Sequence, residues 1–98
     1  MARPKLDDAT IADALRALPN WKRVEDRIER THRAKTVRDA VRLIGRIADV
    51  AEGAEHHPDL TWSYVNLEIA LTTHDSGGIT SRDVHVARVI EDVLQDGE

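Results

Sequence analysis

A chain of 98 residues predicts one domain, spanning 1–98, with a single modest core that a partner subunit would usefully extend. With no cysteine, disulfides and thiolate metal sites are excluded, and with no Phe, two Trp and one Tyr the core must be aliphatic. A formal charge of -4 argues against nucleic-acid binding, and no apolar run reaches the roughly 18 residues a membrane span needs; "MARPKLDDAT" also lacks the apolar segment of a signal peptide, so a cytoplasmic protein is expected.

In chain order, "DDATIADALRAL" sets Ile11, Leu15 and Leu18 at helical spacing, with Asp7, Asp8 or Thr10 as candidate N-caps and "PN" as a stop. "WKRVEDRIERTHRA" follows as two strands about a turn at Glu25 and Asp26, with Ile28, Arg30, His32 and Ala34 sharing one face. From Thr36 the period becomes helical. Val37, Ala40, Val41, Ile44, Ile47, Ala48 and Ala51 form the expected core stripe, Arg38, Arg42 and Arg46 the solvent stripe, and Gly53 the expected stop.

"LTWSYVNLEIALTTH" then alternates as two strands, with Asn66 marking the turn, Leu67, Ile69 and Leu71 on one face, and Glu68, Ala70, Thr72 and His74 on the other. "DSGG" breaks that pattern. A last helix opens at Thr80 or Ser81, with Asp83 placed as in a capping box, and buries Val86, Ala87, Ile90, Val93 and Leu94. The predicted fold is α+β: a four-stranded antiparallel sheet with three helices packed on one face, in the order α-β-β-α-β-β-α.

The chemistry concentrates in "EHHPDL" and "TTHD". His57 precedes Pro58, so it is pushed out of helical geometry, and neighbouring side chains of an extended segment point to opposite sides. His56 and His57 are therefore poorly placed to grip one ion, and no H-x-x-x-H spacing compensates; no metal is expected. Imidazoles that titrate near pH ~6.5 can still give one proton and take another. His32 and His85 are read as ordinary surface residues.

From Glu52 the pattern runs E-x3-H-H-P-x5-Y-x9-H-x8-D through His56, His57, Pro58, Tyr64, His74 and Asp83. This constellation resembles the pterin-4a-carbinolamine dehydratase family, whose animal members also stabilise a transcription factor dimer, and the order of elements is similar over nearly the full length. The resemblance implies dehydration of a 4a-hydroxytetrahydropterin to the quinonoid dihydropterin, within tetrahydrobiopterin recycling, with no cofactor and no metal. It places His56, His57 and His74 at the catalytic site; the need to protonate a leaving hydroxyl and deprotonate a ring nitrogen then suggests that His56 and His74 share the acid and base roles while His57 orients the pterin. Glu55, Pro58, Thr72 and Thr73 are then expected to contact the substrate, while Glu52 and Asp83 orient imidazoles or cap helices.

The partners implied are a small-molecule pterin and further copies of the chain, as a homodimer or homotetramer. The alternatives are a protein-binding coactivator module and an enzyme acting on a molybdopterin-pathway pterin. Where family members usually carry aromatics, this chain has His32, Ala34, Val37 and Val41, which puts subunit contacts rather than chemistry in question.

Overall fold

Asp7 begins the first helix by accepting a hydrogen bond from the Thr10 N–H at 2.8 Å, so helix α1 runs Asp8–Arg16. Successive turns carry the chain through buried Leu18 to Trp21, the first residue of strand β1 (Trp21–Val24). The computed structural model describes residues 3–96; the outermost two residues at each end of the expected 1–98 domain lie outside the described residues. Glu25 takes φ 54 at the turn into strand β2 (Arg27–Arg33), and the register Trp21↔Arg30 to Val24↔Arg27 closes the hairpin as predicted.

Helix α2 (Val37–Ala54) is capped by Thr36, whose hydroxyl accepts from the Asp39 N–H. Two expectations about it need correction. Its buried stripe is Ala40, Leu43, Ile47 and Ala51, while Val37, Val41 and Ala48 are exposed. The helix carries two apolar stripes about one position apart, and the one flanked by small alanines is the one that lies against the sheet.

Gly53, moreover, stays helical. The turn comes at Glu55, with φ 51, where the Glu55 N–H bonds to Glu52 O at 3.3 Å and the His56 N–H to Ala51 O at 3.1 Å. These are the two bonds of a Schellman motif, with a glutamate in glycine's usual left-handed place. Glycine permits such a stop without compelling it. His57, barred from the helix by Pro58, forces the reversal to be made just before it.

Strands β3 (Asp59–Ser63) and β4 (Asn66–Leu71) form a second hairpin, but the turn is Tyr64–Val65, with Tyr64 at φ 55, and Asn66 already belongs to β4. The sheet order is β1-β2-β4-β3, antiparallel throughout. Leu67, Ile69 and Leu71 are buried together with Ile28 of β2, whereas Glu29, Thr31 and Glu68 line the wetter face. β4 ends before His74, contrary to the predicted alternation. The Thr73 N–H turns to Gly78 O at 2.9 Å, and His74–Ser76 forms a single 3₁₀ turn.

Helix α3 (Ser81–Asp96) starts with Thr80 and Asp83 answering one another: the Thr80 N–H donates to Asp83 Oδ2, and Thr80 Oγ1 accepts from the Arg82 N–H. All five predicted apolar residues of α3 are buried, with Val84 beside them. Arg30, on the core face of β2, is buried because Glu91 of α3 meets its guanidinium at 2.9 and 3.1 Å, and Trp21 Nε1–H joins the same carboxylate at 2.8 Å. Burial, the largest single influence, pushes the Glu91 pKa up, yet the bonds from Arg30, Gln95 and Trp21 and the Arg30 charge bring it down to about 2. Among the described residues no helix is long and apolar enough to cross a membrane.

Candidate active site

The end of α2, the end of β4 and the start of α3 converge on a cavity of about 270 Å³ lined by Glu55, His56, His57, Thr72, Thr73, His74, Asp75 and Arg82. The left-handed turn at Glu55 sends the two adjacent histidines apart. His56 enters the protein, with 9% of its surface exposed, and its Nε2 lies 2.5 Å from Asp83 Oδ1. His57 stays outside, with Nε2 2.8 Å from Glu52 Oε1 in a pair that is largely exposed.

Asp83 is fully buried, and its other oxygen accepts from the Thr73 hydroxyl and the Thr80 N–H, each at 2.8 Å. Since the Thr73 hydroxyl proton is committed to Asp83, the 2.8 Å contact between the two threonine hydroxyls has Thr80 donating to Thr73. With every donor so assigned, Asp83 Oδ1 is left to accept the Nε2 proton of His56. A neutral His56 therefore carries its proton on Nε2. Among the described residues its Nδ1 has no hydrogen-bond partner, and since no buried side-chain nitrogen or oxygen there lacks one, that nitrogen keeps some exposed surface on a residue that lines the cavity.

His74 completes the lining as an exposed imidazole whose ring makes no hydrogen bond among the described residues. The cavity thus offers one buried imidazole with a fixed tautomer, one exposed imidazole leaning on a carboxylate, and one unconstrained. Thr72 is tied back through its hydroxyl to Asp26 O at 2.7 Å, which steadies the wall beside His74 against the β1–β2 turn. Such a set can donate and accept protons around a small ring system; the cavity lies at the small end of ligand clefts. Among the described residues no three His, Asp or Glu side chains are grouped to hold a metal ion.

Of the residues singled out in the sequence, Glu55, His56, His57, Thr72, Thr73 and His74 line this cavity, with Glu52 and Asp83 behind two of the imidazoles. Pro58 is half-buried and does not line it, and Tyr64 stands at the far end of β3. Asp75 and Arg82 line the cavity without having been anticipated, although each adjoins a motif residue in sequence. A larger cleft of about 420 Å³, lined by Arg3, Ala54, Ser81, Arg82, His85 and Val86, contains one histidine and no carboxylate, so it offers no comparable acid–base pair.

Residues 4–93 match the family described as pterin 4 alpha carbinolamine dehydratase. A protein of Thermomicrobium roseum, provisionally named as that dehydratase, is 45% identical over 89 residues, covering 91% of this chain and 96% of its own. A similarly named protein of Nocardia farcinica is 41% identical, with coverage of 97% and 100%. The crystal structure of a transcriptional coactivator/pterin dehydratase from Brucella melitensis superposes with a TM-score of 0.88 at 29% identity, covering 92% of this chain and 98% of that one.

Proposed function

The chain belongs to the pterin 4 alpha carbinolamine dehydratase family, and from that membership we propose that it dehydrates a 4a-hydroxytetrahydropterin to the quinonoid dihydropterin during tetrahydrobiopterin recycling. The observation that carries the reading is the meeting of His56, His57 and His74 on one small cavity, with Asp83 and Glu52 behind the first two.

In the reaction the C4a–O bond breaks and the oxygen leaves as water, which requires a proton, while a ring nitrogen loses its own proton and forms a double bond to C4a. His56 suits the base role. Its Nδ1 takes the ring proton, and Asp83 stabilises the resulting imidazolium through Nε2. His74, exposed and unconstrained, supplies the proton to the departing hydroxyl, and exchange with solvent restores both groups. His57 orients the pterin, with Glu55, Thr72 and Thr73 completing its contacts.

Association into a homodimer or homotetramer belongs to the same proposal. Val37, Val41, Trp62 and Tyr64 are large apolar residues left 39%, 48%, 50% and 69% exposed, and β3 is an edge strand with unpaired backbone groups on its outer side. A second copy would cover both. A cysteine-free chain also suits the reducing cytoplasm.

The test is stopped-flow observation of 4a-hydroxytetrahydropterin loss. The protein should accelerate it well beyond the spontaneous rate, and the absence of any acceleration would refute the assignment.

A further inference from the structure

Beyond the two carbonyls closed by the Schellman turn, those of Ala54 and Glu55 at the end of α2 are reached by a side chain from another helix. Arg82 Nη2 donates to Glu55 O at 2.9 Å and reaches Ala54 O at 3.5 Å, whereas α2 has no basic residue in its own last turn. Those carbonyls carry the negative end of the helix dipole and have no intrahelical partners, so a guanidinium is well matched to them. The same turn holds Glu55 at φ 51, a left-handed conformation that disfavours any residue with a side chain.

Position gives the contact its consequence. Ala54 and Glu55 immediately precede the histidine pair, and Arg82 immediately precedes Asp83, which holds the His56 ring. The dipeptide Arg82–Asp83 therefore grips both the backbone that launches the histidines and the imidazole of the first of them. The Arg82 N–H is itself fixed by Thr80 Oγ1 at 3.2 Å, within the threonine network behind the cavity.

We infer that Arg82 is a positioning residue for the dehydration: it pins the left-handed turn at Glu55 so that His56 enters toward Asp83 while His57 stays out beside Glu52. The inference rests on reading the cavity as the dehydratase site. It separates Arg82 from a mere lining cation, because its effect passes through the turn rather than through the ligand.

The experiment compares Arg82→Gln and Arg82→Lys, and repeats Arg82→Gln in a Glu55→Gly background, measuring kcat, KM and the NMR signals of the imidazole nitrogens. Arg82→Gln should lower kcat about tenfold with KM changed less than about twofold, since misaimed catalytic groups cost rate more than binding. Arg82→Lys, which keeps a donor for the carbonyls, should recover at least about threefold of that loss. With glycine at position 55 the turn holds unaided, so Arg82→Gln should cost less than about threefold there.

A rise in KM at constant kcat would make Arg82 a ligand contact and overturn the proposal. So would equal losses in the two backgrounds. If the wild-type protein turned over no pterin, the dehydratase reading would fall separately, and NMR would still decide the clamp: ring signals of His56 and His57 unmoved by Arg82→Gln would refute it.

Discussion

Asp83 holds His56 from inside the protein, Oδ1 to Nε2 at 2.5 Å, while its second oxygen accepts from the Thr73 hydroxyl and from the Thr80 N–H just ahead of α3. One carboxylate therefore orients an imidazole and caps a helix together. Asp83→Asn should lower turnover on the order of 10²-fold, because an amide cannot stabilise the imidazolium as a carboxylate does. Stability should fall by about 1–3 kcal/mol as the buried network loses an acceptor. Turnover assays beside urea melts check both, and unchanged turnover with lost stability would leave Asp83 a cap and nothing more.

His74→Ala should leave the fold intact, since the ring is exposed and makes no hydrogen bond among the described residues. Its dehydration rate, after subtraction of the spontaneous reaction, should drop on the order of 10²-fold. His57→Ala should raise KM more than it lowers kcat. A His74→Ala enzyme with wild-type turnover would remove the proposed acid.

Acid should weaken the protein partly through Glu91. Its folded-state pKa of about 2 lies below the usual 4.5, so the unfolded chain binds the proton more readily. The stabilisation is complete above the ordinary carboxylate range and drains away as the pH falls through 4.5 toward 2. Glu91→Gln should be less stable at neutral pH yet lose less on further acidification below about pH 5. Urea melts across that range measure it, and parallel pH curves for the two proteins would contradict the linkage.

Val41→Glu should shift the assembly toward the monomer with little effect on monomer folding, as Val41 is 48% exposed and outside the core. Light scattering at micromolar concentration reports the change. A wild-type protein already monomeric there would count against association through this face.

Features governed by neighbours in the chain were legible in the sequence. The Asp7 cap, the Thr80–Asp83 exchange, the alternation of Leu67, Ile69 and Leu71, and the splitting of His56 from His57 ahead of Pro58 each depend on a few adjacent residues. Features needing a distant partner were not. Which apolar stripe of α2 meets the sheet is decided by the surface it packs on, and Arg30 reads as a strand cation until Glu91, 61 positions away, supplies its counter-charge. Arg82 escaped notice for the same reason, since its carbonyl partners lie 27 and 28 positions upstream. Glu55 hides in another way, because nothing about a glutamate announces a positive φ.

Helix α2 keeps its bare valines in its first two turns and the histidine turn just past its other end, about 21 to 27 Å away at about 1.5 Å per residue. Sister chains gathering around the valine end would leave the mouth beside His74 facing bulk water. Association through the valine end would therefore leave the opposite pole of the helix unobstructed.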